Sequence, residues 1–88
     1  MEEIVHVDSW FFEKIMSGEK NFEIRLGSME IKEGDVLIIK ERGYNGEETG
    51  RELKKKVGFT LRTNDLTWWN SEEKNKHGFV VMQLGESE

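Results

Sequence analysis

The residues best suited to chemistry lie in one short segment, residues 18–25, which reads Gly-Glu-Lys-Asn-Phe-Glu-Ile-Arg. Side chains alternate along an extended strand, so Phe22 and Ile24 point one way while Glu23 and Arg25 point the other. Lys20 stands at the entry to this strand. An acid therefore lies between two bases on one short strand, and this arrangement recurs nowhere else in the sequence.

The charged triplet has two interpretations. Alternating charge is common on half-exposed strands, where a surface ion pair contributes at most about 1 kcal/mol to stability. Alternatively, the acid and the bases are held together at the mouth of a groove that binds a ligand. The segment by itself favours the solvated strand, and the residues that follow it shift the balance toward a ligand site.

The glycines and charged residues that follow this segment, and their spacing, favour the ligand site. Gly34-Asp35 opens a hydrophobic run over residues 36–39, and Thr49-Gly50-Arg51 follows. Together with the first segment, this string resembles the ASCH superfamily of small domains with a PUA-like fold, and most closely its short phage and bacterial branch, DUF3850. The resemblance covers nearly the whole chain, and the matching residues are His6, Gly18, Lys20, Glu23, Arg25, Gly34, Asp35, Thr49, Gly50, Arg51 and Gly78-Phe79-Val80-Val81.

One loop departs from the family pattern. Between Arg25 and Gly34 the branch usually carries Asn-Asp-Arg, whereas this chain has Gly27-Ser28-Met29. A charged loop has become nearly neutral. Family function is therefore expected to transfer only in part.

The resemblance implies a module that binds RNA or a modified nucleotide. In this hypothesis Lys20, Arg25 and Arg51 meet a phosphate or a base edge, and Glu23 accepts a hydrogen bond from an exocyclic amine. An aromatic side chain stacks on a base face, which is the usual mode for unpaired RNA. The candidates for stacking are Trp10, Trp68 and Trp69.

A second hypothesis is a small amidohydrolase acting on acylated nucleosides, because one bacterial subgroup of the superfamily looks to use the motif lysine and a threonine three residues later. That position is Glu23 here, so the hydroxyl is missing. Lys20 and Glu23 can still form a base and acid pair, but a lysine acts as a base only when uncharged, and the adjacent carboxylate favours the charged form. Enzymatic activity is thus the less favoured reading.

A third hypothesis is a protein-interaction domain whose contact patch is formed by exposed tryptophans. Adjacent tryptophans such as Trp68 and Trp69 cannot both face inward on a strand, so at least one is expected to be accessible unless a turn or helix buries both. The alternative is that the pair caps the core beneath a polar loop.

Composition narrows the class of protein. A chain of 88 residues has room for one domain with one compact core. No stretch approaches the roughly 20 apolar residues of a membrane span, and the acidic start Met1-Glu2-Glu3 is unlike a signal peptide, so a cytoplasmic protein is expected. The sequence has no cysteine and two histidines, His6 and His77, far apart. A metal usually needs three or more protein ligands, so we expect neither a metal nor another cofactor.

The formal net charge of −5 is unevenly distributed. Residues 40–62 carry seven bases and four acids, a local charge of +3, while the flanking segments are acidic. Binding to duplex nucleic acid scales with the number of phosphates neutralised, so an acidic protein is not expected to bind duplex DNA. Any nucleic-acid site must be local and shaped.

Periodicity predicts the elements that position these residues. A strand over Ile4–Val7 is followed by a helix over about Ser9–Ser17, capped by Asp8 or Ser9 and ended by Gly18. Phe12 and Ile15 lie on its apolar stripe, with Trp10 beside it. Phe22–Leu26 and Val36–Lys40 are predicted strands, separated by a loop and by the Gly34-Asp35 turn.

The second half reads as a hairpin and a closing strand. Residues 43–50 form the hairpin loop, and residues 51–61 return as a long strand with Leu53, Val57, Phe59 and Leu61 predicted to face inward. Gly58 marks a bulge or bend, and Asn64 or Asp65 caps one helical turn. The final strand is predicted over residues 79–84, with frayed residues 86–88.

About five strands with one clear helix between the first two indicate an α+β, mainly β domain. The resemblance implies a small PUA-like mixed β-barrel with one or two helices packed on it. The sequence pattern alone does not distinguish such a barrel from an open α+β sheet.

Overall fold

The computed structural model describes residues 1–67 and 78–87. These residues form five strands and one α-helix in chain order: β1 (Glu2–Asp8), α1 (Ser9–Met16), β2 (Phe22–Leu26), β3 (Val36–Arg42), β4 (Glu48–Arg62) and β5 (Phe79–Ser87). A 3-10 turn over Thr63–Asp65 follows β4. In the described part of the chain, no helix is long and apolar enough to cross a membrane.

The strands form one mixed sheet in the order β1-β3-β4-β5-β2. β1 runs parallel to β3, and the other neighbouring pairs are antiparallel. Within residues 1–67 and 78–87 the sheet curls into a half-barrel and does not close, and β1 and β2 are its two edges. The predicted α+β, mainly β class with about five strands and one clear helix is therefore confirmed, and the predicted small barrel is an open half-barrel.

Helix α1 is set by local sequence signals, as predicted. The carboxylate of Asp8 accepts a hydrogen bond of 2.9 Å from the Phe11 amide and so caps the first turn. Gly18 adopts a positive φ of 84° just beyond the helix, which an L side chain rarely tolerates. Phe12 and Ile15 are buried against the sheet.

Strand lengths differ from the sequence prediction except at β2. β1 and β3 extend to Asp8 and Arg42, β4 begins at Glu48 inside the predicted hairpin loop, and β5 runs on to Ser87. Residues 86 and 87 are therefore part of a strand and not a frayed end. Backbone pairing extends β5 to this point, because Ser87 lies opposite Lys55 of β4. Hydrogen bonds between strands do not depend on side-chain type, so the sequence pattern does not show them.

A bulge in β4 explains the main error in the predicted core. Val57 lies opposite Leu84 and Thr60 opposite Met82. Two residues of β4, Gly58 and Phe59, therefore face one residue of β5, Gln83. The extra residue shifts the alternation of side chains by one. Phe59, predicted to face inward, is instead 64% exposed.

The core lies between α1 and the inner face of the sheet. Its buried members are Val5, Val7, Phe12, Ile15, Ile31, Leu37, Ile39, Val57, Val80, Met82 and Leu84, with Met29 and Leu53 packed against them. The connection between β2 and β3 thus contributes Met29 and Ile31 to the core, although it has no regular structure. At its end, the buried carboxylate of Asp35 accepts a hydrogen bond from the Lys32 amide, which lowers the pKa of Asp35.

Arg62 holds this connection in place. Because of the bulge, Arg62 and the buried Val80 lie opposite each other on the inner face. Its guanidinium donates to the carbonyl oxygens of Gly27 and Met29 at 2.8 Å each and of Ile31 at 3.1 Å. One side chain therefore satisfies three backbone acceptors of an irregular segment.

We expect Arg62→Ala to lower the free energy of unfolding by about 2 to 4 kcal/mol, because hydrogen bonds from a charged donor are lost and carbonyls stay partly buried. Arg42→Ala is the matched control, since Arg42 donates to one carbonyl, that of Gly46, at an exposed hairpin. Chemical denaturation of both variants measures the difference. Equal, small losses would contradict the role of Arg62.

Candidate functional site

The end of α1 fixes where Lys20 lies. The chain turns at Gly18, and the Lys20 amide then donates to the carbonyl of Lys14 in the last turn of the helix at 2.9 Å. Lys20 is thereby held between the helix and the start of β2. Its side chain is 16% exposed, so it is not a freely solvated lysine.

Strand β2 turns its charged residues inward. Glu23 lies opposite Met82 and Arg25 opposite Val80, and both partners are completely buried. Glu23 itself is 4% exposed, whereas Phe22 and Ile24 on the other face are 43% and 49% exposed. For Glu23, this geometry excludes the solvated strand face.

Lys20, Glu23 and Arg25 form one ion-paired cluster. Nζ of Lys20 lies 2.5 Å from Oε1 of Glu23, and Nε of Arg25 donates to Oε2 at 2.8 Å. Nη2 of Arg25 also pairs with the carboxylate and donates to the backbone carbonyl of His6 at 3.0 Å. The carboxylate is compensated on both oxygens, and the cluster keeps one net positive charge.

The hydrogen bond from Arg25 to His6 also connects β2 to β1, the two edges of the sheet. Beside it lies a cleft of about 880 Å³ between α1 and these edges. The described residues that line the cleft are His6, Val7, Asp8, Trp10, Phe11, Lys14, Glu19, Lys20, Phe22, Glu23, Ile24 and Arg25.

Aromatic rings form one wall of the cleft. The ammonium of Lys20 lies 5.2 Å from the ring centroids of both Phe11 and Phe22, within cation–π distance. Trp10 packs edge-on against Phe11 with centroids 5.1 Å apart, and Lys14 lies 5.4 Å from the Trp10 ring. Trp10 is 64% exposed and presents its indole to solvent.

Arg51, a candidate from the sequence, lies in a different cluster. Its guanidinium pairs with both oxygens of Glu41, with Nε 2.9 Å from Oε1 and Nη2 2.7 Å from Oε2, and it also reaches Glu13 on α1 at 2.7 Å. It stacks over Phe12 with Cζ 4.8 Å from the ring centroid. Arg51 is not among the described residues that line the cleft.

Glu41 is the acid that sequence reasoning missed. It is 3% exposed on the inner face of β3. The hydrogen bonds from Arg51, and then that from Thr49, lower the pKa of Glu41 from 4.5 to about 2. The same pairing raises the pKa of Arg51. The sequence did contain one signal for the burial of Glu41. It lies two residues after Ile39 and four after Leu37, so on an extended strand it shares their inward face.

Other predicted residues are placed as follows. Trp68, Trp69 and His77 lie outside the described residues. His6 lines the cleft, and its Nε2 is 3.8 Å from Glu48. Within the residues the structure describes, no group of three or more His, Cys, Asp or Glu side chains is arranged to hold a metal ion.

The cleft has the chemistry of a binding site. Its polar groups offer donors from Lys20 and Arg25 and acceptor lone pairs from Glu23. None of its described lining residues is a serine, threonine or tyrosine, so this part of the cleft supplies no hydroxyl nucleophile. The arrangement suits a ligand that combines an anionic group with a flat ring and a hydrogen-bond donor.

Comparison with known proteins identifies the family. A family model described as a domain of unknown function, DUF3850, matches residues 4–84. The chain belongs to the DUF3850 family. This DUF3850 domain is also similar in structure to the crystal structure of hypothetical protein PH0355, with a TM-score of 0.66 and 19% sequence identity over 97% of this chain and 98% of that one. A search of curated proteins found no match.

The likeness to PH0355 concerns the fold alone, because identity is below the level at which function is carried over. The family match agrees with the DUF3850 resemblance drawn from the sequence and spans both charged clusters of this domain.

We expect Glu41→Gln to lower the melting temperature by several degrees at neutral pH, where the Glu41 carboxylate is ionised and paired in the folded state. The folded pKa is depressed, so this contribution is complete above the unfolded value of 4.5 and is lost as the pH falls toward about 2. The difference between wild type and variant should therefore shrink over that range. Thermal denaturation against pH measures it.

Glu52→Gln is the matched control, because Glu52 is an exposed acid on β4. It should leave the acid limb of the pH profile unchanged. A wild-type minus Glu41→Gln difference that stays constant down to the lowest pH would show that Glu41 does not titrate as described.

Proposed function

We propose that this DUF3850 domain binds single-stranded RNA or a modified nucleotide in the cleft between α1, β1 and β2, as its resemblance to ASCH and PUA-like domains implies. One observation carries the proposal: a buried carboxylate is held between two cations on the floor of a cleft with an aromatic wall. A cleft with a largely apolar lining and a few convergent charged groups is a candidate binding site.

The cations keep donors for a ligand. The bond to Glu23 uses one of the three N–H groups of the Lys20 ammonium. The bonds of Arg25 within the described structure use Nε and Nη2, so the two N–H groups of Nη1 remain to be used. A phosphate oxygen can accept from both residues, and charge-assisted bonds of this kind are strong.

Trp10 supplies the stacking surface. Its ring is exposed and packs edge-on against Phe11, and the Lys14 ammonium lies 5.4 Å from its centroid, so a base would stack beside that cation or in its place. The rings of Phe11 and Phe22 are less exposed, at 40% and 43%, and the Lys20 ammonium lies 5.2 Å from the centroid of each. Stacking of a base on an aromatic side chain contributes about 1 to 3 kcal/mol and tolerates any base.

Charge and size favour a short, unpaired ligand. The net charge of −5 opposes long-range attraction of a duplex, while the Lys20 cluster is locally cationic. The cleft volume of about 880 Å³ is in the range of ligand pockets. We accordingly infer RNA or nucleotides of the cytoplasm as ligands, and no duplex DNA.

We expect Trp10→Ala to weaken binding of a fluorescently labelled single-stranded RNA by about 5- to 100-fold, because a stacking face is lost. The melting temperature should stay unchanged, since Trp10 is exposed. Tyr44→Ala is the matched control, because Tyr44 is a fully exposed aromatic residue at a hairpin tip. Fluorescence anisotropy with mixed-sequence RNA and titration with nucleoside monophosphates measure both variants.

The cationic cluster requires a different variant. Lys20→Ala would leave a buried carboxylate with one partner, so it is expected to lower stability as well as binding. The double variant Lys20→Met/Glu23→Gln removes both charges together. It should fold with a modestly lower melting temperature, because Arg25 loses its ionised partner, weaken RNA binding and reduce the slope of log K against log salt by about 0.7 for the lost phosphate contact.

Lys54→Ala, which removes an exposed lysine that is not among the described cleft-lining residues, is the control for the salt slope. The proposal would fail if the wild-type protein bound neither single-stranded RNA nor any monophosphate. Release of free cytidine from acylated cytidines would point to the hydrolase hypothesis instead. Nuclease-resistant capture of one protein through Trp68 or Trp69 would favour the interaction domain.

A further inference from the structure

The outer face of the sheet is apolar over β2, the first part of β5 and the end of β4, whereas Lys54 and Lys56 occupy it earlier in β4. Strand pairing sets Ile24 opposite Val81 and Val81 opposite Leu61, and it sets Leu26 opposite Phe79. In the next row Phe22 lies opposite Gln83, whose side chain accepts from the amide of Phe59. We call this surface the outer patch; its apolar members are Phe22, Ile24, Leu26, Phe59, Leu61, Phe79 and Val81.

The bulge in β4 creates one side of the outer patch. Without the extra residue at Gly58–Phe59, the alternation set by Val57 would turn Phe59 and Leu61 inward. With it, Phe59 is 64% exposed, and Leu26 at the opposite side of the patch is 62% exposed. Contiguous apolar surfaces of this kind mark interaction sites on proteins.

We propose that a second copy of this chain packs on the outer patch, so that two sheets meet face to face across a two-fold axis. A two-fold interface uses the same surface on both copies, and an uncharged sheet face whose apolar rows are interrupted by one polar side chain, Gln83, can pack on its own copy. Its patch members are uncharged, so pairing two of them desolvates no ion. This interface goes beyond nucleotide binding.

The area is sufficient for a specific dimer. The exposed fractions of Phe22, Ile24, Leu26, Phe59 and Phe79 run from 38% to 64%. With side chains of this size, they present about 500 Å² per copy, or about 1,000 Å² for two copies, which is the lower bound of a biological interface. An interface of this size favours a weak, reversible dimer.

The dimer and the cleft share strand β2. Phe22 and Ile24 belong to the outer patch and also line the cleft, whereas Leu26 and Phe59 are outside the described cleft lining. Variants at Leu26 and Phe59 therefore test the dimer without altering the candidate binding residues.

Sedimentation velocity and light scattering over a range from low micromolar to near-millimolar protein form the test. We expect the mass of the wild type to rise with concentration from the 10.3 kDa chain to twice that value. Phe59→Glu and, separately, Leu26→Glu should raise the dissociation constant by about tenfold or more and leave the melting temperature of the dilute protein unchanged. Ile4→Glu is the control, because Ile4 is 53% exposed on β1, away from the outer patch.

Two results would overturn the proposal. One is a wild-type protein that stays monomeric at the highest concentration. The other is a dimer that both glutamate variants leave intact. If one variant fails to fold, the other decides, since Leu26 and Phe59 lie on different strands.

Discussion

The structure depends on the neutralisation of one buried carboxylate, that of Glu23. An acid that is 4% exposed can remain charged only where cations and donors replace water, and Lys20 and Arg25 do so on both of its oxygens. The requirement reaches beyond the pair itself. Lys20 is held by the end of α1, and Arg25 continues to the His6 carbonyl on β1, so one charge balance ties the helix and both edge strands together.

This tie also explains why an open half-barrel has a defined cleft. β1 and β2 are the edges of the sheet, and unpaired edges invite association with other strands. Here the space between them is bordered by the Arg25 bond on one side and by the aromatic residues of α1 on the other. The same residues that compensate Glu23 line the space where a ligand is proposed to bind, so binding and folding draw on one set of charges.

Two arginines that look alike in sequence have separate roles. Arg25 faces the cleft, while Arg51 is bound to Glu41 and Glu13 and packs over Phe12. The second cluster joins α1 to β3 and β4 and therefore fixes the face of the helix opposite to its aromatic wall. Two of the bases in residues 40–62, Arg51 and Arg62, therefore form hydrogen bonds within the protein. The basic excess of this segment is not wholly available to an anionic partner.

The sequence by itself determined the local elements: the Asp8 cap, the stop at Gly18, the limits of β2 and the burial of Phe12 and Ile15. These follow from signals within a few residues, namely capping groups and the periods of helix and strand.

The sequence also grouped Lys20, Glu23 and Arg25, but it did not decide which face of β2 was buried, because that depends on Val80 and Met82 more than fifty residues away. The pairing of β4 with β5 likewise decided the bulge in β4 and the outward direction of Phe59. The ion pair of Arg51 with Glu13 depends on a helix 38 residues away in sequence. Register is a property of two strands at once, and a single strand's pattern contains only half of it.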